Sequence, residues 1–259
     1  MRRVVRKLLS PAYKFYEKRL ERQVRKSPVP NHLAVIMDGN RRYAESLGLL
    51  PYEGHLMGKG TLENLSEWCR NLDIKYLTVY AFSLENFSRD EKELDPLMDL
   101  FEESFLNAAE DPQVHKNKVR IRSIGHRELL PERVIKAIDY AEDKTKDYED
   151  YNYNLAVAYG GRQEIVRSMT KIAEKIKTGE LDSKDIDVDL ISDNLYTSNL
   201  PDPDLILRTS GEERVSNFLL WQLAYSELYF ADVFWPEMRK IDFLRAIRSF
   251  QQRQRRIGR

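Results

Sequence analysis

Short, nearly continuous apolar runs punctuate this chain at residues 32–37, 76–82, 152–158 and 205–208. They read as strands, because a strand covered on both faces needs no polar side. Residues 119–124 alternate in the manner of a strand, and 76–82 are rich in β-branched and aromatic side chains. With the aromatic run 227–230 the expectation is about six strands. Between them lie stretches with helical spacing: 41–46, 57–72 (Leu62, Leu65 and Cys69 on one side), 96–110, 131–143, 163–177, 242–252 and a short one at 191–196. Pro96 suits the first turn of the third of these. A loop is expected through Gly48, Pro51 and Gly54, and residues 83–95 and 179–189 are polar. Strands alternating with helices predict an α/β fold with a central, mostly parallel sheet flanked by helices.

Residues 1–26 carry Leu8, Ala12, Phe15, Tyr16, Leu20 and Val24 at roughly helical spacing and end at Ser27-Pro28-Val29-Pro30. They predict a basic leader helix, residues 1–27, appended to a single domain over 28–259 and outside its core. Charge sharpens this division. The 259 residues are formally neutral, but residues 1–27 hold ten Lys/Arg against Glu17 and Glu21, a net of +8. Residues 239–259 hold eight against Asp242, a net of +7, which leaves −15 on residues 28–238. Such basic ends suit anionic lipid or a phosphorylated substrate, and the acidic body argues against nucleic acid. The leader suits docking on an anionic membrane and equally suits packing on its own domain. No apolar stretch has the length of a membrane span, and residues 4–9, broken by Arg6 and Lys7, are too short for a signal-peptide core. A cytoplasmic protein with peripheral membrane contact is expected. One cysteine, Cys69, excludes an intrachain disulfide and a Cys-rich zinc site.

Ligands of open parallel sheets sit beyond the C-terminal strand ends. There the chain places Asp38, Asn40, Arg41, Arg42, Ser83, Asn86, Arg89, Arg162, Arg208, Arg214 and Ser216. Guanidinium forks and a hydroxyl suit diphosphate, and Asp38 suits Mg²⁺. Taken singly, each piece has a plainer reading. Asp38-Gly39-Asn40 is also an ordinary turn, Arg208 and Arg214 are also partners for Glu212 and Glu213, and Gly160-Gly161 is also a strand–helix corner. Glu227, among Tyr225, Leu228, Tyr229 and Phe230, needs a partner. Gly-x-Gly-x-x-Gly, Walker-type and Gly-x-Ser-x-Gly patterns are absent, as is Asp-Asp-x-x-Asp, and the four histidines lack metal-ligand spacing.

Several long stretches carry a resemblance. They are His32-Leu-Ala-Val-Ile-Met-Asp-Gly-Asn-Arg-Arg-Tyr-Ala44, Gly54-His55, Thr78-Val-Tyr-Ala-Phe-Ser-Leu-Glu-Asn-Phe-Ser-Arg89, Ala158-Tyr-Gly-Gly-Arg162, Asp204-Leu-Ile-Leu-Arg-Thr-Ser-Gly-Glu-Glu-Arg-Val-Ser-Asn-Phe-Leu-Leu-Trp221, and Glu227-Leu-Tyr-Phe230 with Trp235-Pro236. Over about residues 30–258 the chain resembles the cis-prenyltransferases, the undecaprenyl and dehydrodolichyl diphosphate synthases. The resemblance implies an enzyme that condenses isopentenyl diphosphate repeatedly with farnesyl or geranylgeranyl diphosphate. The product would be a long cis-polyprenyl diphosphate, precursor of a glycosyl-carrier lipid. It implies Mg²⁺ as cofactor, a homodimer and an apolar tunnel, lined by residues 97–106 and 76–82. Asp38 resembles the metal carboxylate, with Glu227 the second carboxylate, associated with the metal and the dimer. Gly39, Asn40, Arg41 and Arg42 resemble the turn that holds the allylic diphosphate, with Asn40 also moving a proton and His55 nearby. Ser83, Asn86, Phe87 and Arg89 match a mobile loop, and Arg208, Arg214 and Ser216 match the isopentenyl diphosphate site. Arg256 and Gly258 resemble a terminal Arg-x-Gly that reaches across the dimer.

The departures lie closer to archaeal or eukaryotic members than to bacterial ones. Tyr43 and Phe87 stand where tryptophans are common in bacterial members, Arg41 replaces a small residue, and Pro51 stands where bacterial members often carry an arginine. Two other readings are a noncatalytic support subunit of a heteromeric enzyme, which tends to lack the Asp and arginines present here, and a short-chain synthase.

Overall fold

The computed structural model describes residues 10–253. Its six strands are β1 (His32–Ile36), β2 (Tyr76–Ser83), β3 (Val119–Ile124), β4 (Tyr151–Tyr159), β5 (Leu205–Arg208) and β6 (Glu227–Phe230). All pair in parallel, in the order β3-β4-β2-β1-β5-β6. The helices are α1 (Ser10–Val24), α2 (Asn40–Ser46), α3 (Pro51–Asn71), α4 (Glu91–Glu110), α5 (Pro112–Lys116), α6 (Glu132–Thr145), α7 (Gly161–Lys177), α8 (Val188–Asp193) and α9 (Lys240–Gln252).

Strand periodicity divides the core. Leu33, Val35, Leu77, Val79, Leu205 and Leu207 point to one face, where Leu65 and Cys69 of α3 and Phe243, Leu244 and Ile247 of α9 bury them. Ala34, Ile36, Tyr80 and Ile206 point to the other, against Phe218 and Leu219. A third cluster joins Phe82 and Val157 to α4 and α6 through Phe101, Phe105, Val134 and Ile138.

Two helices start earlier than their patterns suggest. Pro51 opens α3 as its first residue instead of lying in a loop, consistent with proline's place at N1. Helix α4 begins at Glu91, capped by the Asp90 side chain on the Lys92 N–H, so Pro96 lies inside it. The leader also departs from expectation. Leu20 and Val24 are buried in the core with α3 and α9, the Lys240 ammonium meets Glu21 at 2.8 Å, and the Gln251 amide donates to the carbonyls of Val24, Ser27 and Pro28. Helix α1 is thus part of the packed body. Leu8, Arg256 and Gly258 lie outside the described residues.

Candidate functional site

The C-terminal ends of β1, β2 and β5 open on a cavity of about 710 Å³. Asp38, Gly39, Asn40, Arg41, Arg42, His55, Ser83, Asn86, Arg89, Arg208, Arg214 and Ser216 line it, so the structure brings these sequence-predicted residues together. Close approach fixes the turn after β1. Gly39 has φ +105°, and a Cβ there would lie 2.7 Å from Phe234. The first turns of α3 then cross α2: a Cβ on Gly54 would meet the Asn40 carbonyl oxygen at 2.2 Å, and one on Gly58 would meet Asn40 Oδ1 at 2.3 Å. The Gly54-His55 pair is therefore a packing requirement that sets His55 beside the turn.

Asp38 is the centre. Its backbone N–H donates to Thr209 Oγ1, which itself donates to the Asp38 carbonyl at 2.6 Å. Its carboxylate accepts from Arg208 Nη2 at 2.7 Å and Arg42 Nη2 at 3.0 Å. Burial alone would raise the Asp38 pKa, but the hydrogen bonds and charges of Arg208 and Arg42 outweigh it and hold the carboxyl below its ordinary range. Arg208 is buried and also donates to Ser216 Oγ at 2.8 Å and to the Arg214 carbonyl. The loop that presents these partners is costly: Ser210, Ser216, Asn217 and Leu219 all take positive φ without being glycine. Asn217 anchors it by accepting the Gly161 and Arg162 N–H groups at the start of α7.

A second cluster lies across the cavity. Glu93 Oε1 accepts from Arg89 Nη1 at 2.8 Å, with Arg41 Nε at 3.5 Å and His55 Nε2 at 3.9 Å. His55 Nε2 is buried and has no hydrogen-bond partner. Burial, reinforced by the charges of Arg89 and Arg41, pushes the imidazole down to about 4. Asn86 accepts the Ser83 N–H and closes the turn after β2. Sequence reasoning missed two members of the site, Thr209 and Glu93; Glu212, named there as a partner for the arginines, pairs with Arg214 and also with Arg42. Glu93 had a signal, since it falls four residues after Arg89, the spacing of a helical ion pair.

Three expected residues stand elsewhere. Phe87 packs edge-on to Phe82, with ring centroids 4.8 Å apart, and does not line the cavity. Arg162 is exposed and does not line the cavity, although its N–H is held by Asn217, which does. Glu227 pairs with Leu205 at the N-terminal end of the β5–β6 ladder, while Asp38 follows β1 at the C-terminal end. Its carboxylate is bound by Arg253 Nη1 at 2.8 Å. One chain therefore does not bring Glu227 and Asp38 to one cation.

The donor set nevertheless fits Mg²⁺ in one mode. Among the described residues no three His, Cys, Asp or Glu side chains gather for a metal. A half-buried carboxylate facing a cation-rich cavity can hold Mg²⁺ whose other ligands are diphosphate oxygens and water. Asp38, with lone pairs beyond its two arginine bonds, has that form.

Residues 36–258 match the family described as "Putative undecaprenyl diphosphate synthase". The chain is 54% identical over its whole length to the tritrans,polycis-undecaprenyl-diphosphate synthase (geranylgeranyl-diphosphate specific) of Methanopyrus kandleri, covering 96% of that protein. It is 53% identical to the enzyme of the same name from Methanocaldococcus jannaschii, over 96% of this chain and 90% of that one. Lavandulyl diphosphate synthase from Lavandula x intermedia, solved with dimethylallyl diphosphate, superposes with a TM-score of 0.85 at 38% identity, over 89% of this chain and 99% of that one. With the six-stranded parallel sheet and the cavity at its C-terminal rim, these likenesses are decisive: the chain belongs to the undecaprenyl diphosphate synthase family, the cis-prenyltransferases, and is similar to its archaeal members.

Proposed function

We propose that this protein elongates geranylgeranyl diphosphate with successive isopentenyl units in cis, giving a long polyprenyl diphosphate that serves as precursor of a glycosyl-carrier lipid. The observation that carries this reading is the Asp38 carboxylate clamped by Arg208 and Arg42 at a cavity with arginines on both sides. Both archaeal relatives are named as geranylgeranyl-diphosphate specific, which favours that primer over farnesyl diphosphate.

The cavity offers two sets of donors for two diphosphates. Arg41, Arg42 and Arg89, with His55, suit the allylic diphosphate, and Arg208, Arg214 and Ser216 suit that of isopentenyl diphosphate. Mg²⁺ held by Asp38 would neutralise charge on the departing diphosphate. The arginines stabilise the same charge as the allylic C–O bond breaks. The isopentenyl double bond then forms the new C–C bond, and a proton leaves the neighbouring carbon. That proton can pass to an oxygen of the departing diphosphate; Asn40 lines the cavity beside the allylic turn, with its Oδ1 packed against Gly58 of α3.

The growing tail needs an apolar channel. Phe82 lines the main cavity, and Phe101 stands edge-on to it with centroids 6.0 Å apart. A second cavity of about 490 Å³, walled by Phe105, Ala108, Val114, Ile121 and Leu155, opens between α3 and α4 beyond them. We read the Phe82–Phe101–Phe105 seam as the tunnel's closed form. In the proposed homodimer, Arg256 and Gly258 complete the partner's isopentenyl site, and Glu227 acts across the interface.

Incubating the protein with Mg²⁺, labelled isopentenyl diphosphate and geranyl, farnesyl or geranylgeranyl diphosphate tests the reading. A polyprenyl ladder built best on geranylgeranyl diphosphate is expected. A product that stops after one addition would establish the short-chain alternative. No transfer by folded, dimeric protein would establish the support subunit.

A further inference from the structure

The leader helix has two unlike faces. Inward, Leu20 and Val24 are buried and Glu21 pairs with Lys240; flanking them, the exposed rings of Tyr13 and Tyr16 lie under Arg239, the N-cap of α9, and Arg245 of α9, at 5.8 and 5.7 Å. Outward, at about 100° per residue, Lys14, Lys18, Arg19 and Arg22 fall in one arc of about 140°, with Phe15 among them, and the turn after the helix adds Lys26. All are exposed, Phe15 at 71%. Arg25, in the same turn, reaches sideways to Glu21. Nothing acidic interrupts the arc.

This face does not serve the packing of α1, which the inward side already provides. Nor is a cationic face of this density needed for solubility in a body that carries −15 over residues 28–238. The segregation of charge is the informative point: cations point outward from α1, while both its acids, Glu17 and Glu21, are only partly exposed. We propose that the outward face of α1 docks the protein flat on an anionic lipid bilayer, with Phe15 entering the headgroup layer and the cations facing lipid phosphates. Among the described residues no helix is long and apolar enough to cross a membrane, so α1 would lie on the surface.

The inference rests on the chain-elongation reading for its purpose. Helix α1 covers the same sheet face as α3, which lends Leu62, Ser66 and Arg70 to the second cavity. A bilayer held against that side would take up an apolar tail that leaves the protein there. Because the cations are already arrayed on a packed helix, little ordering entropy opposes docking.

The test is co-sedimentation of the full chain with vesicles of phosphatidylglycerol and phosphatidylcholine, and of phosphatidylcholine alone. Binding to the first, lost at 1 M salt, is expected, with little binding to the second. Each cation near such a surface is worth roughly fivefold in partitioning, so Lys14→Glu/Lys18→Glu/Arg22→Glu should lower binding by more than about 100-fold. The same variant should keep its melting temperature and its prenyl transfer in solution, and Phe15→Ala should lower binding by several-fold. Equal binding to neutral vesicles, unchanged binding of the triple variant, or retention on RNA in place of vesicles would overturn the proposal. Prenyl transfer without vesicle binding sinks this inference alone. Vesicle binding without prenyl transfer sinks the functional reading and leaves the docking face standing.

Discussion

His32 is buried and His55 partly so, and desolvation pushes both imidazoles down to about 4. Their surroundings differ. His32 sits at the N-terminal end of the sheet with both ring nitrogens engaged: Nδ1 with the Pro201 carbonyl at 2.6 Å and Nε2 with Thr78 Oγ1 at 2.8 Å. Asp204 accepts the N–H groups of Asn31 and His32 beside it. His55 sits at the C-terminal rim with Nε2 orphaned, amid Arg41, Arg89 and an open cavity. The direction of the pKa does not separate structure from function here. Unspent hydrogen-bonding capacity and excess positive charge do, because a folded core satisfies its polar groups while a site waits for a ligand to do so.

The sharpest way to break this comparison is to remove one carboxylate at each end. Asp38→Asn should lower kcat/KM for prenyl transfer by about a thousandfold, since it removes the metal carboxylate and frees Arg208 and Arg42. Its melting temperature should stay within a few degrees. Asp204→Asn should do the reverse, costing about 1–3 kcal/mol of stability by denaturant melt with kcat nearly intact. Equal losses of activity would mean that the two ends of the sheet are coupled.

Arg208→Lys asks whether geometry or charge matters at the rim. The guanidinium joins Asp38, Ser216 and the Arg214 carbonyl at once, which the single ammonium of a shorter-reaching side chain cannot reproduce. A loss of about a hundredfold in kcat/KM is expected, read with isopentenyl diphosphate as the varied substrate. A loss below threefold would make charge alone sufficient.

Much of this was legible in the sequence. Strand β5 coincides with its apolar run, and β1 ends one residue short of its own, because strands buried on both faces leave no ambiguity of period. The rim residues were legible because motif stretches fall at strand ends. What escaped depends on contacts made across the fold. Thr209 bracing Asp38, and Glu93 meeting the chain-distant Arg41 and His55, have no local pattern that assigns them. The stripe carrying Leu20 and Val24 was legible, but not whether it meets the domain or a lipid surface, because ten basic residues around it suit either.

The two histidines can be compared by titration. Each has a folded pKa below the ordinary 6.5, so between about pH 6.5 and 4 the unfolded chain binds protons that the native one refuses. Stability should therefore fall as pH drops through that window, and His32→Gln should flatten the slope. Inorganic pyrophosphate with Mg²⁺, followed by histidine NMR, then separates the pair. An anion near His55 should raise its pKa by a fraction of a unit or more, while His32 should not move. Parallel shifts would contradict the assignment of His55 to the diphosphate cavity.

The smallest expected effect tests what Glu93 does. Its carboxylate holds Arg89 at 2.8 Å and lies 3.5 Å from Arg41, the two cations that would face an allylic diphosphate. A carboxylate so placed is either a competitor of the substrate diphosphate for the arginines or a brace that aims them. The cavity is open to water, so the ion pairs are worth about 0.2–1 kcal/mol each. If Glu93 competes, Glu93→Gln keeps the shape, removes the charge and should lower KM for the allylic primer by roughly twofold to fivefold, with kcat little changed. If Glu93 is a brace, the same variant should raise KM and lower kcat together, because misaimed guanidinium groups serve the departing diphosphate as poorly as the bound one. His55 favours the first outcome. Its orphaned Nε2 stands 3.9 Å from Glu93, too far for a hydrogen bond, so the cluster is incomplete around its own carboxylate and has room for a larger anion to take that place.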